Sequence, residues 1–190
     1  NRLDLFERQI KMLRNINPSV LYISSDGPRE DRVNELECIG KIREGVYEYI
    51  DWDCEVHTLF HPNNLGCKYA MHEAIQWFFS EEAYGIVLED DIIPSLSFFK
   101  FCESSLKKFK ECKEVATICG RNELGNFEAC KADFLYSSKF FCWGWASWAD
   151  RILGLDVNIS SDLPTKKWIL MTLDGPEKYL VKGMYGLLES

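Results

Sequence analysis

The chain has 190 residues, with hydrophobic residues at 46%, charged residues at 27% and a formal net charge of −8 at pH 7. That is enough for one well-buried core and a single domain over residues 1–190, and an acidic balance without clustered Lys and Arg excludes a general nucleic-acid binder. No run of ~18 apolar residues and no basic-then-apolar leader is visible, so a soluble chain without a transmembrane segment is expected.

In chain order, Leu3–Leu13 reads as an amphipathic helix, with Leu5, Phe6, Gln9 and Leu13 at helical spacing. The chain thus opens in a helix and stops in Tyr185-Gly186-Leu187-Leu188 without a capping feature, which reads as a fragment at both termini. Val20–Ser24 is a β-branched and aromatic run closed by the turn signal Ser25-Asp26-Gly27-Pro28. From Arg29 to Glu48 the apolar residues Val33, Leu36, Ile39 and Ile42 fit a solvent-facing helix broken near Gly45. Cys54 to Phe60 reads as a strand, and Asn63-Asn64-Leu65-Gly66 turns into a helix from Cys67 to Glu82 with Ala70, Ala74, Trp77 and Phe78 on one face. The short apolar strand Gly85-Ile86-Val87-Leu88 follows, then a helix from Ser97 to Lys113 and the apolar run Val115 to Cys119. Strands alternating with helices predict an α/β domain with a parallel or mixed sheet and right-handed crossovers. Asn122 to Asp133 has no clear period, and Phe140 to Trp148 is an aromatic cluster that extends the same domain.

The eight cysteines are Cys38, Cys54, Cys67, Cys102, Cys112, Cys119, Cys130 and Cys142. No close CxxC pair with zinc spacing occurs, and reduced, mostly buried thiols in a reducing cytoplasm are expected.

The chemistry concentrates where the strand before Pro94 ends in Glu89-Asp90-Asp91. A buried strand that stops in carboxylates delivers them to the carboxyl edge of the sheet, where open α/β proteins bind ligands. Adjacent anions repel, so a cation or a set of hydrogen-bond donors should hold them. Magnesium or manganese suits such oxygens and keeps positions open for substrate phosphates; a solvated turn is the plainer alternative. Asp26 could accept a hydrogen bond from a uracil imide or simply make an Asx-turn with Gly27. Asp51-Trp52-Asp53 precedes its strand and belongs on the opposite edge, and His57 and His61 lie on a strand and its following loop, where that spacing makes no helical metal pair. Trp143, Gly144 and Trp145 could form a sugar-stacking platform or pack in the core.

Taken together, Asn63-Asn64-Leu65-Gly66-Cys67-Lys68, Ala74-Ile75-Gln76-Trp77-Phe78-Phe79, Gly85-Ile86-Val87-Leu88-Glu89-Asp90-Asp91, Ser97-Phe98-Phe99-Lys100-Phe101-Cys102 and Trp143-Gly144-Trp145-Ala146-Ser147-Trp148 resemble bacterial nucleotide-diphospho-sugar transferases, some labelled hemolysin-like. They resemble more distantly the alpha-mannoside beta-1,2-N-acetylglucosaminyltransferase I group. The resemblance implies a GT-A fold, a mainly parallel mixed sheet flanked by helices and truncated at both ends. It implies a nucleotide-sugar-binding half over 1–119 and an incomplete acceptor-side extension over 120–190. The implied activity is metal-dependent transfer of a sugar, with Mn2+ or Mg2+, from a UDP-sugar to a hydroxyl of a glycan or lipid-linked glycan in polysaccharide biosynthesis, with inversion. Peripheral membrane association would suit a lipid-linked acceptor.

Carried over onto this sequence, Asp91 becomes the direct metal ligand, Glu89 and Asp90 contact ribose or donor sugar, and Asp26 reads uracil. Arg2 and Lys68 become candidates for diphosphate contacts. The family's members begin with a strand just before the Asn1-Arg2 position and carry a Trp-Asp segment after the Trp-Gly-Trp region; neither is present here. The catalytic base is therefore expected beyond Ser190, and Asp150, Asp156, Asp162 and Asp174 are not assigned that role. The rival readings are a non-catalytic carbohydrate- or nucleotide-binding protein of the same fold, and a metal-dependent nucleotidyltransferase or phosphatase. The latter two would carry a basic Gly-rich loop or a paired-Asp nucleophile motif, which this sequence lacks.

Overall fold

The structure, a computed structural model, describes residues 2–121, 134–137 and 140–155. The stretch 122–133, Cys130, Asp156, Asp162, Asp174 and most of the expected acceptor-side half lie outside the described residues. The compact unit Asn1–Gly154 holds every element below.

Helix α1 (Leu3–Leu13) leads to strand β1 (Val20–Ser25), helix α2 (Val33–Tyr49) and strand β2 (Glu55–Phe60). β1 and β2 pair in parallel from Val20↔Glu55 to Ser25↔Phe60, so α2 is the crossover of a βαβ unit. Side chains alternate across a strand, and the two faces are used differently. Leu21, Ile23 and Val56 pack against Ile10 and Leu13 of α1 and Val46 and Ile50 at the end of α2. On the other face Tyr22 stacks on His57 and meets Trp77 and Phe78 edge-on. Those two belong to α3 (Cys67–Glu81).

The expected break at Gly45 does not occur; α2 runs through it. A glycine inside a helix costs only about 1 kcal/mol relative to alanine, less than the burial of the adjacent Val46 and of Ile50 returns. Space explains the residue: a Cβ on Gly45 would stand 2.7 Å from the Tyr49 ring.

Strand β3 (Tyr84–Val87) is followed by α4 (Leu96–Lys108), the two-residue β4 (Ile118–Cys119), β5 (Trp145–Trp148) and the single turn α5 (Ala149–Ile152). β5 lies between β3 and β4 and is antiparallel to both, with Val87↔Trp145 and Ile118↔Ala146 in register. The fold is thus mixed α/β with a small parallel sheet. The expectation of a mainly parallel sheet is corrected by β5, which arrives late in sequence and is buried at all four positions. A strand covered on both faces has no alternation to betray it.

One stripe of α4, Phe98, Cys102 and Leu106, continued by Phe109 just past its end, closes over Ile118, Ala146 and Trp148. The helix stops at Lys108, short of the expected Lys113. Arg151 caps its end, donating to the carbonyls of Phe109 at 2.9 Å and Lys110 at 2.8 Å and to that of Val115, with its guanidinium 3.4 Å from the Trp148 ring centre. Leu88 and Phe99 pack against both this core and the one beneath α1 and α2. Among the described residues no helix is long and apolar enough to cross a membrane.

The described cysteines are free thiols, but only Cys102 is fully buried, while Cys67 and Cys142 are exposed. Burial pushes the Cys102 thiol from its ordinary 9.0 up to about 12. Because the folded value is raised, the neutral thiol's contribution to stability is complete below pH 9 and is lost as pH rises towards 12. Cys102→Ala, although less stable at neutral pH, is expected to lose less stability than the native chain between those limits, as read by urea denaturation at a series of pH values.

Candidate functional site

The carboxylates follow directly on the end of β3, but the strand expected to be buried is a half-buried edge strand, paired on one side with β5. Leu88 anchors the chain in the core, and Glu89–Ile92 then forms a turn closed by the Ile92 N–H donating to the Glu89 carbonyl at 3.1 Å. Gln9 of α1 holds both ends of that turn: its Nε2 donates to the carbonyls of Glu89 at 2.8 Å and Ile92 at 2.9 Å. The sequence placed Gln9 on the apolar stripe of α1, and a lone amide on such a stripe is the signal for a tether of this kind. Gln9→Met keeps the length and loses both bonds. It is expected to destabilise the chain by about 1–2 kcal/mol, the net worth of two side-chain hydrogen bonds, as measured by urea denaturation.

Arg2, just ahead of α1, engages the carboxylates themselves. Its Nε and Nη2 donate to the two oxygens of Asp90 at 3.1 and 2.6 Å, and Nη2 lies 3.6 Å from an Asp91 oxygen. The bond to Asp90 chiefly, with the charge of Asp91 adding to it, raises the guanidinium above its ordinary value. Asp90 is 55% exposed and Asp91 47%. Cys142 lies beside Glu89; although the residue is exposed overall, its thiol is pushed up first by partial desolvation and then by its interaction with Glu89, with Asp91 contributing charge. Among the described residues Arg2 is the cation paired with Asp90 and Asp91, and both carboxylates remain about half exposed.

The Trp-Gly-Trp segment runs directly beside this turn. Gly144 takes φ +79°, a left-handed conformation that favours glycine, and a Cβ there would lie 3.5 Å from Ile92 and 3.6 Å from Leu88. The two indoles then part company. Trp145 is 5% exposed and packs with Phe79 and Ile152, so it is a core residue and leaves the acceptor platform. Trp143 is 43% exposed, with Arg121 centred 3.7 Å over one face and Phe141 stacked nearby.

Asp26 and Lys68 form a second group, with no hydrogen bond or ion pair to the acidic turn among the described residues. Oδ1 of Asp26 accepts the N–H groups of Gly27 and Leu65, both at 2.8 Å; Oδ2 accepts Asn64 Nδ2 at 2.9 Å and the Gly66 N–H at 3.0 Å. A carboxylate has about four acceptor sites; three fasten the Asn64–Gly66 turn that starts α3 and the fourth takes the N–H of Gly27. Asp26 is a loop clamp here, with no lone pair left for a uracil. Lys68 sits exposed in the first turn of α3, 5.3 Å from the Tyr69 ring centre.

Arg43, which carries no sequence signal of its own, bridges the carboxyl ends of β1 and β2 by donating to the carbonyls of Ser25 and Asp26 at 3.0 Å and His61 at 2.8 Å. Desolvation lowers its guanidinium from the ordinary value, and Asp26 partly opposes this. Asp51 pairs with Arg14 at 2.9 Å, Asp150 is held by Lys113, which lowers its carboxyl, and His57 and His61 face Glu55 and Glu73 separately.

Among the described residues no three or more His, Cys, Asp or Glu side chains are arranged as a metal cage. The acidic turn suits instead an ion held by one or two carboxylates and completed by water and substrate oxygens, the habit of Mg2+ and Mn2+. Comparison with protein-family models, curated proteins and solved structures finds no match for this chain.

Proposed function

We propose that the chain is a metal-dependent glycosyltransferase of GT-A type, moving a sugar from a nucleotide-diphosphate donor, UDP-linked for preference, to a hydroxyl of a glycan or lipid-linked glycan with inversion. The observation that carries this reading is an exposed, tethered acidic turn at the carboxyl end of the half-buried strand β3, with Trp143 exposed at its flank. The motifs around it are those in which the resemblance to nucleotide-diphospho-sugar transferases resides.

In this reading Asp91, the last of the three acids, supplies the direct oxygen to the cation, and Arg2 holds it less closely than Asp90. Glu89 and Asp90 face donor hydroxyls, and Gln9 keeps their backbone in place. Mn2+ or Mg2+, when bound, offsets the charge that grows on the leaving diphosphate. Lys68, exposed at the start of α3, remains a candidate for a diphosphate oxygen. Asp26 contributes as the clamp of the loop before α3, and no described carboxylate is assigned as the base that takes the acceptor proton. Trp143 offers an indole edge and one face to an acceptor sugar, and a lipid-linked acceptor would place the work at the cytoplasmic face of a membrane.

A binding module without turnover is the second reading, favoured by the pairing of Arg2 with the very acids a cation needs. UDP release separates the two. A transferase incubated with a panel of UDP-sugars and Mn2+ slowly liberates UDP, and EDTA stops it; a binding module takes up the nucleotide sugar and liberates none.

A further inference from the structure

We draw no further inference here: the strongest candidate, the surface patch just past the end of α4 where Leu135 and Tyr136 are exposed beside Phe134 and Lys108, carries nothing because the adjacent Lys107 and Lys113 are already paired with Glu103 and Asp150 and nothing in the structure shows what covers its apolar residues.

Discussion

Asp91→Ala is expected to abolish the stabilisation that a UDP-sugar and Mn2+ together give the native chain. At a hundredfold excess over its dissociation constant a ligand adds about 2.7 kcal/mol to folding stability, which for a chain of this size raises the melting temperature by roughly 5–10 °C. The native chain should show that rise with Mn2+ and not with EDTA, and Asp91→Ala should show neither. The loss is expected to exceed the roughly ten- to hundredfold typical when an outer partner of a metal ligand is removed, because Asp91 is assigned the direct bond. Its side chain is half exposed and only loosely paired, so the unliganded melting temperature should change little. A melting rise that survives the substitution would remove Asp91 from the site.

Trp145→Ala is expected to destabilise the chain by about 3–5 kcal/mol, the cost of cutting a large aromatic out of a packed core. Trp145 stands between β3 and β4 in the sheet and packs on Phe79, itself 1% exposed. Trp143→Ala, by contrast, should cost under about 1 kcal/mol, as surface substitutions do, while weakening sugar binding if an acceptor stacks there. Urea denaturation of the two variants reads the difference. Equal, small losses would return Trp145 to the binding surface.

What could be read from residue order was what depends on local pattern. Helical spacing located α1 and α3, and the β-branched run at Val20 with its Asp-Gly-Pro turn located β1. The acidic triplet was legible as a strand end because four apolar residues precede it and a proline follows. What could not be read was contact across the chain. β5 is aromatic and buried at every position, so it offers neither the alternation of a half-covered strand nor the length of a helix. Asp26 looks the same in sequence whether it faces a uracil or the N–H groups of Leu65 and Gly66, and only the fold brings those donors to it. Gln9 and Arg43 are further cases: each takes its role from carbonyls at strand ends that are remote in sequence.

The direct measurement is a calorimetric titration of UDP into the native chain, once with Mn2+ and once with EDTA at the same ionic strength. Saturable binding with the metal that vanishes with the chelator is the predicted result. Binding of equal strength in both, or no binding in either, would contradict the assignment of the Glu89-Asp90-Asp91 turn as a cation seat for a nucleotide diphosphate.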